Sequence, residues 1–232
     1  LAPVLDVNSN RKNVVIGTRS YGESPKLVAT YGVAMSRGLQ AGGVLSCGKH
    51  FPGHGDTAVD SHLGLPLVEK SLEELEACEL IPFRAAIDAD IDAMMTTHIL
   101  FPKLEKEKIP ATMSRTIMTG LLRERLGFKG LIISDCMMMG AIQKYYGTIP
   151  GCVAACKAGV DMVIISHSAE LAGQAAQAIR EEAEKGGVLA EEMDVAMAHI
   201  AACKARLHPA DPAAFDAVGN AAHREIVHAL RQ

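Results

Sequence analysis

Apolar runs of strand length recur along this chain, at residues 1–7, 44–49, 93–98, 130–134 and 162–166. Each is followed by a segment whose apolar positions fall three and four apart, so the pattern predicts parallel β/α units. The runs are apolar throughout rather than alternating. Their strands are therefore expected to be covered on both faces, as in a barrel or a doubly wound sheet.

The intervening helices carry readable start signals. Ser24-Pro25 opens one, Ser71 and Glu74 form a capping box before the next, and Ser114 precedes a third that Gly127 should stop. Pro82 falls inside the second and predicts a kink or a break. Further helices are expected at 149–158, 168–185 and 190–207. Beyond Leu207 the residues turn rich in Pro, Ala and Asp before a last helical period, which predicts a main domain over 1–207 and a linker with a helix over 208–232.

At 232 residues the chain can bury roughly 70–75% of its unfolded surface. Its 49% hydrophobic and 22% charged residues suit a globular protein. A net charge of −4 without a basic cluster argues against nucleic acid as a partner, and no apolar window is long enough to span a membrane. The six cysteines show no CxxC spacing and read as reduced, buried thiols, which leans toward a cytoplasmic setting, although Leu1 is not an initiator methionine.

Polar chemistry concentrates in residues 48–64, where Lys49, His50, His54, Asp56, Asp60 and His62 stand among glycines. In an extended loop, residues two apart point the same way, so Asp60 and His62 can act on one atom, the aspartate keeping the imidazole a usable acid. A loop histidine bonded to a neighbour is the plainer alternative. His50 and His54 have a spacing that suits zinc on a helix, but Pro52 and the glycines forbid that helix, so no metal is expected. Lys49 and His50 are read as donors at a strand end, with His54 bracing the loop. Asp135 closes an apolar run, where a carboxylate either works chemically or caps the following helix. Arg19 and His98 have the same character of polar groups at loop or strand ends. Arg19 and His98 are open to a structural reading as well, and the run Met137 to Met139 reads first as packing, with Met139 at the border of a sugar pocket as the alternative.

The segments LAPVLDVNSN, IGTRSYGESP, GKHFPGHGDTAVDSHLGLP, PATMSRTIMTGLLRERLGFKGLIISDCMMMGAI and AGVDMVIIS resemble the catalytic barrel domain of family 3 glycoside hydrolases, in the β-N-acetylglucosaminidase branch. The resemblance implies a (β/α)8 TIM-type barrel with five β/α units visible and the first three missing, since a closed barrel needs eight strands. It implies Asp135 as nucleophile, Asp60 with His62 as acid/base dyad, and Arg19, Lys49 and His50 as ligands of N-acetylglucosamine; His98 and Met139 are expected as further substrate contacts from their positions alone. The substrate would be an N-acetylglucosamine-containing oligosaccharide, from peptidoglycan or chitin, with no cofactor. Hydrolysis is expected, with phosphorolysis, a family 3 β-glucosidase, or an inactive sugar-binding fragment as alternatives. No D-Q-E-G-G segment precedes the first run, so the chain is expected to be incomplete, its edges closed by missing strands, self-association or a complementing chain.

Overall fold

The computed structural model describes residues 1–59, 65–207 and 218–229. In chain order the elements are α1 (Pro25–Ala41), β1 (Cys47–Phe51), the short strands β2 (Ala58–Val59) and β3 (Pro66–Leu67), α2 (Leu72–Ala77), α3 (Leu80–Asp88) and β4 (Ala93–Thr96). A π-type helix (Thr116–Arg125), β5 (Leu131–Cys136), α4 (Gly140–Gln143), α5 (Thr148–Lys157), β6 (Met162–Ile164), α6 (Ala169–Glu184), α7 (Val188–Ala205) and α8 (Ala221–Ala229) follow. Strands β1, β4, β5 and β6 form one parallel sheet in that order, and β2 pairs with β3 as a separate antiparallel hairpin.

The first apolar run is not a strand of that sheet but an extended segment along the outer edge of β1. Val4 bridges Lys49, the Cys47 N–H donates to the Ala2 carbonyl at 2.7 Å, and the Leu5 N–H donates to the Lys49 carbonyl at 2.6 Å. Pro3 has no N–H to give a ladder, which confines such a segment to an edge. Strand β1 also starts later than residue 44, because the Val44 N–H is spent on the Leu39 carbonyl, closing the last turn of α1 at 2.9 Å.

Helix starts follow the sequence signals closely. The Ser24 side chain accepts from the Leu27 N–H with Pro25 beside it, and Ser71 and Glu74 make a reciprocal capping box. The segment around Pro82 divides into two helices at Cys78 (φ −139°, ψ −80°), with Pro82 in the first turn of α3, where a missing N–H leaves no helix bond unmade. After Ser114 the helix is of π type rather than α. Its buried residues Ile117, Met118, Leu121 and Leu122 fall three and four apart, as on one face of an ordinary helix, so their spacing does not mark the wider turns.

Side chains alternate between the two faces of the sheet. Phe51, Met94 and Ile132 join the larger core with Phe83, Ile117, Leu122 and Cys152 from the helices. Ala93, Met95 and Leu131 face the other way, where Ile200 and Cys203 of α7 cover them. The double covering expected from uninterrupted apolar runs is therefore present.

Two buried carboxylates hold the helices at the amino ends of the strands. Asp92 accepts from the Ser46 N–H and hydroxyl, both at 2.8 Å, and pairs with Arg206 at 2.9 Å. Asp161 accepts from the Ile132 N–H and from Arg123, both at 2.6 Å, and meets His199 Nδ1 at 2.9 Å. All six cysteines are unpaired, with Cys47 and Cys152 buried. Among the described residues no helix is long and apolar enough to cross a membrane.

Candidate active site

The polar residues of interest gather at the opposite, carboxyl end of the sheet. Their anchor is Asp6, fully buried just beyond the edge segment. Its carboxylate accepts from the His50 N–H at 3.2 Å, from His50 Nδ1 at 2.7 Å and from the His54 N–H at 2.7 Å. Three donors on one carboxylate fold the residues after β1 into a tight turn and fix the His50 ring through its Nδ1 edge. Gly55 makes this possible, because a Cβ there would stand 1.6 Å from the Val7 carbonyl oxygen.

His54 braces the turn as expected. Asn13 Nδ2 donates to its carbonyl at 2.6 Å, Thr57 Oγ1 lies 2.7 Å from its Nδ1, and its ring meets that of His50 edge-on at 5.6 Å. Burial pulls the His54 pKa down; the Asp6 charge opposes this, and those of His50 and Arg19 add to it. Arg19 is thus close enough to act on this cluster, while its guanidinium donates to the Val15 carbonyl at 2.7 Å. Lys49 is half-buried in β1.

His98 follows the end of β4 and is 4% exposed. Thr112 Oγ1 lies 2.9 Å from its Nδ1, and its Nε2 faces the Cys136 carbonyl at 3.1 Å. Burial lowers its pKa, against the opposing charge of Asp135. Asp135 itself is half-buried near the end of β5, its Oδ1 accepting from the Cys136 N–H at 2.7 Å. It does not cap the next helix: α4 starts at Gly140, with Met139 at the cap position. The neighbouring Cys136 thiol is pushed up by burial, but hydrogen bonds from Ser166 and Met138 outweigh this and bring it below its ordinary value.

The charges of His50 and Arg19 thus act on His54, and those of Asp135 and His50 on His98. Met139 is 43% exposed one turn beyond Asp135. Asp60 and His62 lie outside the described residues. The hairpin that brackets them, β2 with β3, hangs beside the end of β4, where the Leu100 N–H donates to the Pro66 carbonyl at 2.9 Å. At the hairpin base Lys70 pairs with Asp56 at 3.1 Å and with the buried Glu79 at 2.5 Å. Among the described residues no group of three or more His, Cys, Asp or Glu side chains converges as a metal site.

Sequence reasoning missed Asp6 and Thr112. Asp6 had the signal used for Asp135, a carboxylate near the end of an apolar run. Thr112 had none, since it reaches His98 from a short 3-10 turn (Ala111–Met113) fourteen residues on.

A four-stranded parallel sheet with a polar cluster at its carboxyl ends, built around buried carboxylates and histidines, defines an α/β protein with an enzyme-like site. Residues 1–203 match the family described as glycosyl hydrolase family 3 N terminal domain, and the chain belongs to that family. Among curated relatives it is 36% identical over 249 residues to beta-hexosaminidase A of Pseudoalteromonas piscicida, covering 97% of this chain and 41% of that one. A beta-hexosaminidase of Thiobacillus denitrificans is 36% identical over 173 residues, covering 75% and 47%. The chain thus spans about half the length, or less, of these relatives. Among solved structures, a family 3 β-N-acetylglucosaminidase from Paenibacillus sp. str. FPU-7 superimposes with a TM-score of 0.86 at 45% identity, covering 91% of this chain and 41% of that one. The β-N-acetylglucosaminidase from Thermotoga maritima gives 0.78 at 31% identity, covering 90% and 44%.

Proposed function

We propose that this chain carries the nucleophile and part of the sugar site of a retaining β-N-acetylglucosaminidase, on part of a (β/α)8 barrel. The observation that carries this reading is Asp135, a partly exposed carboxylate near the carboxyl end of a parallel strand, next to Cys136, whose carbonyl meets buried His98 at 3.1 Å. Relatives named as β-hexosaminidases and β-N-acetylglucosaminidases support the substrate class. The extended edge segment followed by four strands in chain order supports the partial barrel.

In this mechanism Asp135 attacks the anomeric carbon from one face while His62, held by Asp60, gives its proton to the departing oxygen. His62 then takes a proton from water, which attacks the glycosyl ester at the same carbon and frees Asp135. Two inversions give net retention. Arg19, Lys49 and His50 would bind sugar hydroxyls, the His50 ring being fixed by Asp6. In the protein that carries this sequence, Asp135→Asn should lower kcat on an aryl β-N-acetylglucosaminide by at least about 1,000-fold. Hydrolysis unchanged in that variant would overturn the assignment.

A further inference from the structure

Strand β5 loses its regular pairing just where Asp135 stands. Its ladder with β4 ends at Met95 and Ile133, and its ladder with β6 slips between Ile133, opposite Met162, and Cys136, opposite Ile164. Three residues of β5 therefore span what two residues span on β6. Such a bulge re-aims a side chain; on the β6 side the Met137 N–H still donates to the Ile164 carbonyl at 2.8 Å, whereas on the β4 side the strand end has no ladder partner beyond Met95.

Two side-chain contacts hold the strand end besides that bond. On the β6 side, the Ile164 N–H donates to Ser134 Oγ at 2.9 Å. On the β4 side, His98 Nε2 reaches the Cys136 carbonyl at 3.1 Å, two residues past the end of β4. Both ring nitrogens of His98 thus face protein atoms, since Nδ1 meets Thr112 Oγ1 at 2.9 Å. Thr112 is itself fully buried, with Thr96 Oγ1 at 2.7 Å and the Thr97 carbonyl at 2.9 Å.

We propose that His98 is a positioning residue for Asp135 rather than a sugar ligand, tying the irregular end of β5 to β4 through the Cys136 carbonyl. This rests on Asp135 being the nucleophile. A carbonyl can only accept, so in the neutral ring the proton belongs on Nε2; Nδ1 then takes the one Thr112 hydroxyl proton in place of the Thr97 carbonyl, which keeps the Thr112 N–H at 3.2 Å. Burial, which lowers the pKa of His98, favours that neutral form.

Kinetics on an aryl β-N-acetylglucosaminide, in the protein that carries this sequence, separate the two roles. His98→Leu removes both contacts and should lower kcat roughly 100-fold, the cost of misplacing a reacting group by about 1 Å. KM and the inhibition constant of N-acetylglucosamine should stay within about twofold, because uniform sugar binding is untouched. His98→Gln, whose amide can still donate toward Cys136, should regain about tenfold in kcat. A rise in both KM and the inhibition constant with kcat preserved would make His98 a sugar ligand and overturn the proposal, as would unchanged kinetics. Should His98→Leu fail to fold, nitrogen NMR of the unsubstituted protein decides: an Nε2–H tautomer from pH 5 to 8 supports the proposal, and an Nδ1–H tautomer or an imidazolium overturns it. Loss of the Asp135 role itself is read separately, from the Asp135→Asn variant.

Discussion

Asp6 keeps a carboxylate fully out of water because three N–H donors from His50 and His54 converge on it. Asp6→Ala orphans those donors and should destabilise the protein by at least about 2 kcal/mol, measurable by urea unfolding. The same substitution frees the His50 ring, so sugar affinity should fall together with stability. Asp135 and His50 were legible from sequence because each is a polar residue at the edge of an apolar run, where a strand end meets a loop. Asp6 carried that signal as well, but its weight comes from two backbone N–H groups more than forty residues away, which no local pattern encodes. The hydroxyl of Thr112 belongs to the same class of long-range partner.

At the scale of elements, the hairpin of β2 and β3 is moored by Lys70, which lies between Asp56 and the Glu79 carboxylate. Burial pulls the Lys70 ammonium down, but the two carboxylates outweigh it and leave its pKa raised. Glu79 Oε2 is buried without a hydrogen-bond partner among the described residues, so the charge of Lys70 is what compensates it. Lys70→Met should cost about 2 kcal/mol, less than for a fully buried pair because the lysine is 23% exposed. Glu79→Gln in addition should recover part of that loss, a coupling that a double-mutant cycle in urea would measure. A loss from Lys70→Met that the second change leaves intact would show that packing, not charge, moors the hairpin. Helix positions were readable here because caps and apolar spacing are local. The π-type turns of residues 116–125 were not, since the sequence after Ser114 carries the cap of an ordinary helix and its buried positions keep ordinary helical spacing.

For the molecule as a whole, His54 and His98 couple folding to pH. Both have folded pKa values below the ordinary histidine value, burial being the main cause, so the unfolded chain binds their protons first as pH falls. Stability should therefore be complete above about pH 6.5 and decline below it, with a slope of up to about 1.4 kcal/mol per pH unit for each proton. The carboxylates with lowered values, Glu182 at about 2 among them, act only at more acid pH. Urea midpoints at pH 7.5 and 5.5 test this, and equal midpoints would show that neither ring resists protonation. The parallel sheet was legible from the rhythm of apolar runs, whereas the slip that splits β5 from β6 was not, because LIIS continues the run without a glycine or proline to mark it.

That single surplus residue in β5 has an arithmetical consequence. Side chains switch sides at every step along a strand, so excising Ser134 would restore an even count against β6 and turn the Asp135 side chain to the opposite face of the sheet. The direction of that side chain is in this sense a matter of odd and even.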